Sequence, residues 1–92
     1  MSYCRITFFE YHSEEDANEL VGNYQMNAPN NFPNAEILLC TRTSTTTAIM
    51  TSLYSSKEMA DKAMVARKPL LDEVKSKIKN IETHEGDASW LR

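Results

Sequence analysis

The chain is poor in the residues that most often announce a site. It has two glycines, two histidines, two cysteines and one tryptophan in 92 residues. Gly22 and Gly86 cannot build a phosphate-cradling loop, which needs clustered glycines. Cys4 and Cys40, far apart and each in an apolar run, read as free buried thiols. Two thiols cannot hold an iron–sulfur cluster. No His or Cys cluster has metal-ligand spacing, and no Ser–His–Asp or Cys–His order suggests a nucleophile. We therefore expect neither a metal nor a cofactor. No apolar run approaches the ~20 residues of a membrane span. The stretch from Tyr3 to Phe9 is too short, and lacks the basic start, to be a signal peptide. The expectation is a cytoplasmic chain with reduced thiols.

Basic charge is also scarce. Ten Lys and Arg stand against 13 Asp and Glu, for a net charge of −3 and a pI near 5.3. This excludes a basic, non-specific nucleic-acid binder. Residues 1–54 hold only Arg5 and Arg42 against six acids. The remaining cations are concentrated after residue 54, and the lysines there read as a solvated helix face.

What is present is a compact succession of elements. Tyr3 to Tyr11 is aromatic and β-branched and reads as a strand. Ser13 followed by three acids opens a helix. That helix carries an apolar stripe of Ala17, Leu20, Val21, Tyr24 and Ala28, and Pro29 is expected to end it. A turn-rich loop follows, through Asn34. Ala35 to Thr43 and Thr47 to Tyr54 read as a hairpin. Ser55 to Glu58 reads as a capping box with Ser55 as the cap. The helical region it opens runs to Lys79, with Ala60, Ala63, Met64, Leu71, Val74 and Ile78 inward and a break expected at Pro69. Asn80 to Glu85 reads as a fourth strand, followed by a tail containing Trp90.

The βαββαβ order implies one α+β domain over residues 1–92, a four-stranded antiparallel sheet with both helices on one face. Such a short chain buries roughly 60–65% of its unfolded surface. Its strands carry large apolar residues on both faces, so the uncovered face asks for a second copy. Assigning Ile6 and Phe8 to the helices places Arg5, Phe9 and Tyr11 on the pairing face. Trp90 in the tail joins them as a candidate contact.

The element order, the segment Tyr54-Ser55-Ser56-Lys57-Glu58 joining strand to helix, and the terminal strand with its short tail resemble the dimeric α+β barrel superfamily. That group has a ferredoxin-like fold. It includes antibiotic-biosynthesis-type monooxygenases, haem-degrading enzymes, muconolactone isomerases and stress-responsive barrel proteins. The resemblance implies a homodimer with a small-molecule cleft between helices and sheet. The monooxygenase branch usually carries Trp where Tyr54 stands and a His about two turns into the next helix. Here that stretch reads Asp61-Lys62-Ala63-Met64-Val65-Ala66-Arg67.

Candidate site residues follow from position. Tyr24, Asn27 and Tyr54 can bring polar groups to an apolar cleft. Arg42 can hold an anion. His84, which titrates near neutrality, and Tyr54 are the candidates for catalysis. The plainer reading makes the tyrosines core residues with hydroxyls at the edge and His84 a solvated side chain. Two functions fit: cofactor-free oxygenase- or isomerase-like chemistry on a small apolar or aromatic molecule, or a non-catalytic ligand-binding or regulatory module such as the ACT type. An RNA-binding domain of this topology would carry an aromatic stacking motif, and neither LLCTRT nor AIMTSLY matches it.

Overall fold

A computed structural model describes residues 2–92. The strands are β1 (Tyr3–Tyr11), β2 (Ala35–Arg42), β3 (Thr47–Tyr54) and β4 (Ile78–Asp87). The helices are α1 (Glu14–Asn31) and α2 (Lys57–Val74), the second followed by a 3₁₀ turn at Lys75–Lys77. The sheet order is β2-β3-β1-β4, antiparallel throughout. This is the ferredoxin-like βαββαβ arrangement. No helix among the described residues is long and apolar enough to cross a membrane.

Helix boundaries depart from expectation in informative ways. Ser13 caps α1 as expected, accepting from the Asp16 backbone N–H at 3.1 Å. Pro29 does not end α1, which continues to Asn31. Proline there removes one backbone donor in an exposed last turn, where water can serve the freed carbonyl. The cap of α2 is Ser56, not Ser55. Its hydroxyl accepts from the Met59 N–H at 3.3 Å, so Glu58 lies in the first turn without completing a capping box. Pro69 does not split α2, which is continuous to Val74. Ile78 begins β4 and is not part of the helix.

The faces of β1 are the reverse of the sequence assignment. Tyr3, Arg5, Thr7, Phe9 and Tyr11 are buried under the helices, whereas Ile6 is 44% exposed on the opposite face. A strand's period fixes which residues share a face, not which face is covered. The odd-numbered face holds three aromatics, which offer the helices more area than Cys4, Ile6 and Phe8. Phe9 and Tyr11 stack with ring centroids 6.0 Å apart. They join Leu20, Val21, Ala17 and Met50 in the core.

Cross-strand register extends this division to the whole sheet. Ile6 opposes Thr51, Phe8 opposes Ile49, and Leu39 also opposes Thr51, so these share the outer face. Ile37 and Leu39 are 46% and 53% exposed there. The expected uncovered apolar face exists, therefore, but it is built from the even-numbered residues of β1.

Candidate functional site in the helix–sheet cleft

Strand alternation points Arg5, Thr7, Phe9, Met50, Ser52 and Tyr54 up from the sheet. Helical spacing brings Leu20, Tyr24, Asn27 and Ala28 from α1, and Arg67, Leu71 and Val74 from α2, down towards them. Between these layers lies a cavity of about 340 Å³. That volume lies within the range of roughly 300–1,000 Å³ usual for small-ligand pockets. Asn23, Asn27 and Asn31 line it from α1 at successive four-residue intervals, and Glu73 lines it from α2. All four are exposed, so they form its polar rim.

Two arginines reach the cavity, and their partners differ. Arg5 is 3% exposed. Its Nε donates to Glu85 Oε2 at 3.0 Å, and its Nη2 donates to the Ala60 carbonyl at 2.9 Å. Its guanidinium also lies 5.8 Å from the centre of the Tyr54 ring. The Glu85 carboxyl accepts from the Tyr3 hydroxyl at 3.1 Å. The hydrogen bond from Arg5 holds Glu85 below the usual carboxylate range, helped by the Arg5 charge and by Tyr3 and partly offset by desolvation.

Arg67 donates Nη1 to Thr7 Oγ1 at 3.1 Å and Nη2 to Thr83 Oγ1 at 3.2 Å. Both partners are neutral. Among the described residues no carboxylate forms an ion pair with Arg67. Its Nε and the Tyr24 hydroxyl are buried without a hydrogen-bond partner. Burial, then repulsion from Arg5, lowers the pKa of Arg67. Burial raises the Tyr24 phenol, partly offset by the Ser52 hydroxyl, though no hydrogen bond closes between them. The Tyr11 phenol is pushed up to about 12, chiefly by burial. Both phenols are therefore neutral donors at physiological pH.

Of the residues singled out by sequence, the structure brings Tyr24, Asn27 and Tyr54 together around the cavity. Arg5, Phe9 and Tyr11, assigned to the pairing face, line this cavity too. Arg42 is elsewhere. It sits at the exposed β2–β3 turn, where its Nε donates to the Ser44 carbonyl at 2.8 Å. His84 is not in the cleft either. It opposes Ile6 on the outer face, with Nε2 3.4 Å from Glu82 Oε1. Odd-numbered β4 residues face the helices because Glu85 pairs with Arg5. Trp90 is 78% exposed in the tail. Among the described residues no group of His, Cys, Asp and Glu is arranged to hold a metal.

Arg67 is the residue that sequence reasoning missed. Its signal was present: Ala60, Ala63, Arg67, Leu71 and Val74 recur at three- and four-residue steps. A cation in phase with an apolar helical stripe is placed towards the core.

Solved structures share this architecture. The chain superposes on a protein of Nitrosomonas europaea described as a candidate antibiotic biosynthesis monooxygenase, with TM-score 0.82 and 9% identity, covering 97% of this chain and 91% of that one. A dimeric ferredoxin-like protein from an uncultured marine organism gives TM-score 0.82 and 9% identity over 99% and 98% of the two chains. The chain has their ferredoxin-like fold. A Streptomyces coelicolor monooxygenase, solved in complex with nanaomycin D, gives 0.79 and 9% over 99% and 90%. No protein-family model and no curated protein sequence matches the chain.

Proposed function

We propose that the protein is a small dimeric α+β barrel that binds, or binds and transforms, a small apolar or aromatic molecule in the helix–sheet cavity. The observation that carries this reading is the cavity itself, apolar over most of its wall, with two buried donors lacking partners. Buried polar groups are almost always hydrogen-bonded. Neither atom has accessible surface in the structure, so an acceptor would complete them as the Arg67 and Tyr24 side chains, which line the cavity, turn towards it. The nanaomycin D complex of a protein with this fold supports a small-molecule role. Under this reading Tyr24, Asn27 and Tyr54 contact the ligand, and a cytoplasmic setting suits the half-buried free thiols of Cys4 and Cys40.

Pairing of two copies belongs to the same proposal. Ile6, Ile37 and Leu39 form an apolar outer face, and an identical sheet is the simplest cover with closed symmetry. Neighbouring structures described as dimeric support it. Trp90 and Leu91, exposed in the tail, would contact the same partner.

The donor set bears on the choice between catalysis and binding. A general base must lie within hydrogen-bond reach of the proton it removes. His84 lies on the far face, and Glu73 is the carboxylate of the cavity wall, placed at its exposed rim. The described wall of the cavity thus offers donors and no buried base. This favours a non-catalytic ligand-binding module, or chemistry intrinsic to the bound molecule, over proton abstraction from deep in the cavity.

Calorimetric titration of the purified protein with 2-naphthamide, a neutral aromatic probe, tests the cavity. Binding that is lost in Ser52→Leu, with the dimer intact, is the expected result. Equal binding by Ser52→Leu would place the ligand elsewhere.

A further inference from the structure

We infer that the cavity selects an anionic ligand, a carboxylate on a small apolar or aromatic body, whose oxygens pair with Arg67 and accept from the Tyr24 hydroxyl. This rests on the cavity being a ligand site and adds the charge of what occupies it.

The charges that line the cavity do not balance. Arg5 and Arg67 both line the cavity. Arg5 is matched by Glu85 at 3.0 Å. Arg67 meets neutral threonine hydroxyls, so one positive charge is left over. Tyr11 and Tyr24 contribute no negative charge at neutral pH, and Cys40, whose thiol burial raises, stays protonated. Glu73 stands at the exposed rim, in water. A desolvated charge is costly unless paired. A neutral carbonyl would satisfy the Arg67 Nε–H but leave the charge unmatched. A carboxylate does both, and it keeps a second oxygen for a further donor such as the Tyr24 phenol, which lines the same cavity.

Matched probes of one shape separate charge from fit. They are 2-naphthoate, 2-naphthamide and 2-naphthylmethylammonium, titrated calorimetrically into the full-length protein at pH 7. For the wild type we expect naphthoate to bind about tenfold or more tighter than naphthamide, as suits a charge-assisted hydrogen bond, and the ammonium to bind weakest. In Arg67→Met the naphthoate and naphthamide affinities should converge while naphthamide binding persists. Tyr24→Phe should lower naphthoate affinity and spare the fold, even if Arg67→Met fails to fold. Equal naphthoate and naphthamide affinities in the wild type would overturn the charge inference and leave the cavity reading standing. Binding of none of the three would overturn both.

Discussion

Arg5 and Glu85, adjacent across β1 and β4, form the ion pair that makes the cavity asymmetric. Their 3.0 Å contact neutralises one of the two guanidiniums that line it. Among the described residues, the Arg67 charge is the one without a carboxylate partner.

Removing that pairing should cost stability and sharpen anion binding together. In Glu85→Gln, Arg5 remains buried with a weaker acceptor, a loss of about 2 kcal/mol. The cavity then carries a second unmatched charge, so naphthoate affinity should rise while naphthamide affinity stays level. Chemical denaturation and calorimetry on the same variant report both effects. A drop in naphthoate affinity would mean that Glu85 shapes the site and does not tune its charge.

The same pair predicts an acid limb of stability. Glu85 titrates below its ordinary value in the folded protein. Its contribution is therefore fully present above the unfolded-state carboxylate pKa and is lost as pH falls through the lower folded value. The stability gap between wild type and Glu85→Gln should close as pH falls below about 4.5. Melting curves across pH 3–7 would show it, and a constant gap would contradict it.

At alkaline pH the sign reverses. The Tyr11 phenol is raised to about 12, so the folded state holds its proton longer than the unfolded chain. Stability should fall as pH rises from about 10, the ordinary phenol value, towards 12. Ultraviolet titration should show one late-ionising tyrosine fewer in Tyr11→Phe than in the wild type, the raised Tyr24 phenol remaining.

Tyr24→Phe separates folding from binding. The wild-type hydroxyl is buried without a partner, so deleting it should leave the ligand-free melting temperature unchanged or higher. A marked fall in melting temperature would reveal a partner for the hydroxyl in the folded protein.

The outer face predicts the assembly. A charge at Leu39, as in Leu39→Glu, should shift sedimentation from dimer to monomer without altering the secondary structure. The same change at Val65, exposed on α2, should leave the dimer intact.

The architecture was largely readable from sequence because its signals are local. The periodicities of β1, α1 and α2 and the Ser13 cap each depend on a few neighbouring residues. The prolines misled because a helix end is decided by solvent as well as by propensity. Pro29 and Pro69 remove single donors at exposed positions, and the packing of Ala28 and Leu71 carries the helices past them. The two faces of β1 were harder. Both alternate sets are apolar, and the choice between them is made by helices distant in sequence. The site followed the face. Once the odd residues turned inward, Arg5 entered the cavity and His84, one residue from Glu85 on β4 and so on the opposite face, left it. Arg67 was legible in principle, as a cation on the α2 stripe, but its unmatched charge emerges only when Thr7 and Thr83 are seen as its partners.

The Arg67 Nε–H reports most directly on occupancy of the cavity. It is buried and free of a partner, so an occupant that completes the cavity must change its environment. Its nitrogen–proton resonance, followed as 2-naphthoate is added, should move progressively downfield and saturate, with the Tyr24 and Asn27 signals moving in step. An unmoved Arg67 signal, with shifts confined to Ile6, Ile37 and Leu39, would place the ligand on the outer face and contradict the cavity as the functional site.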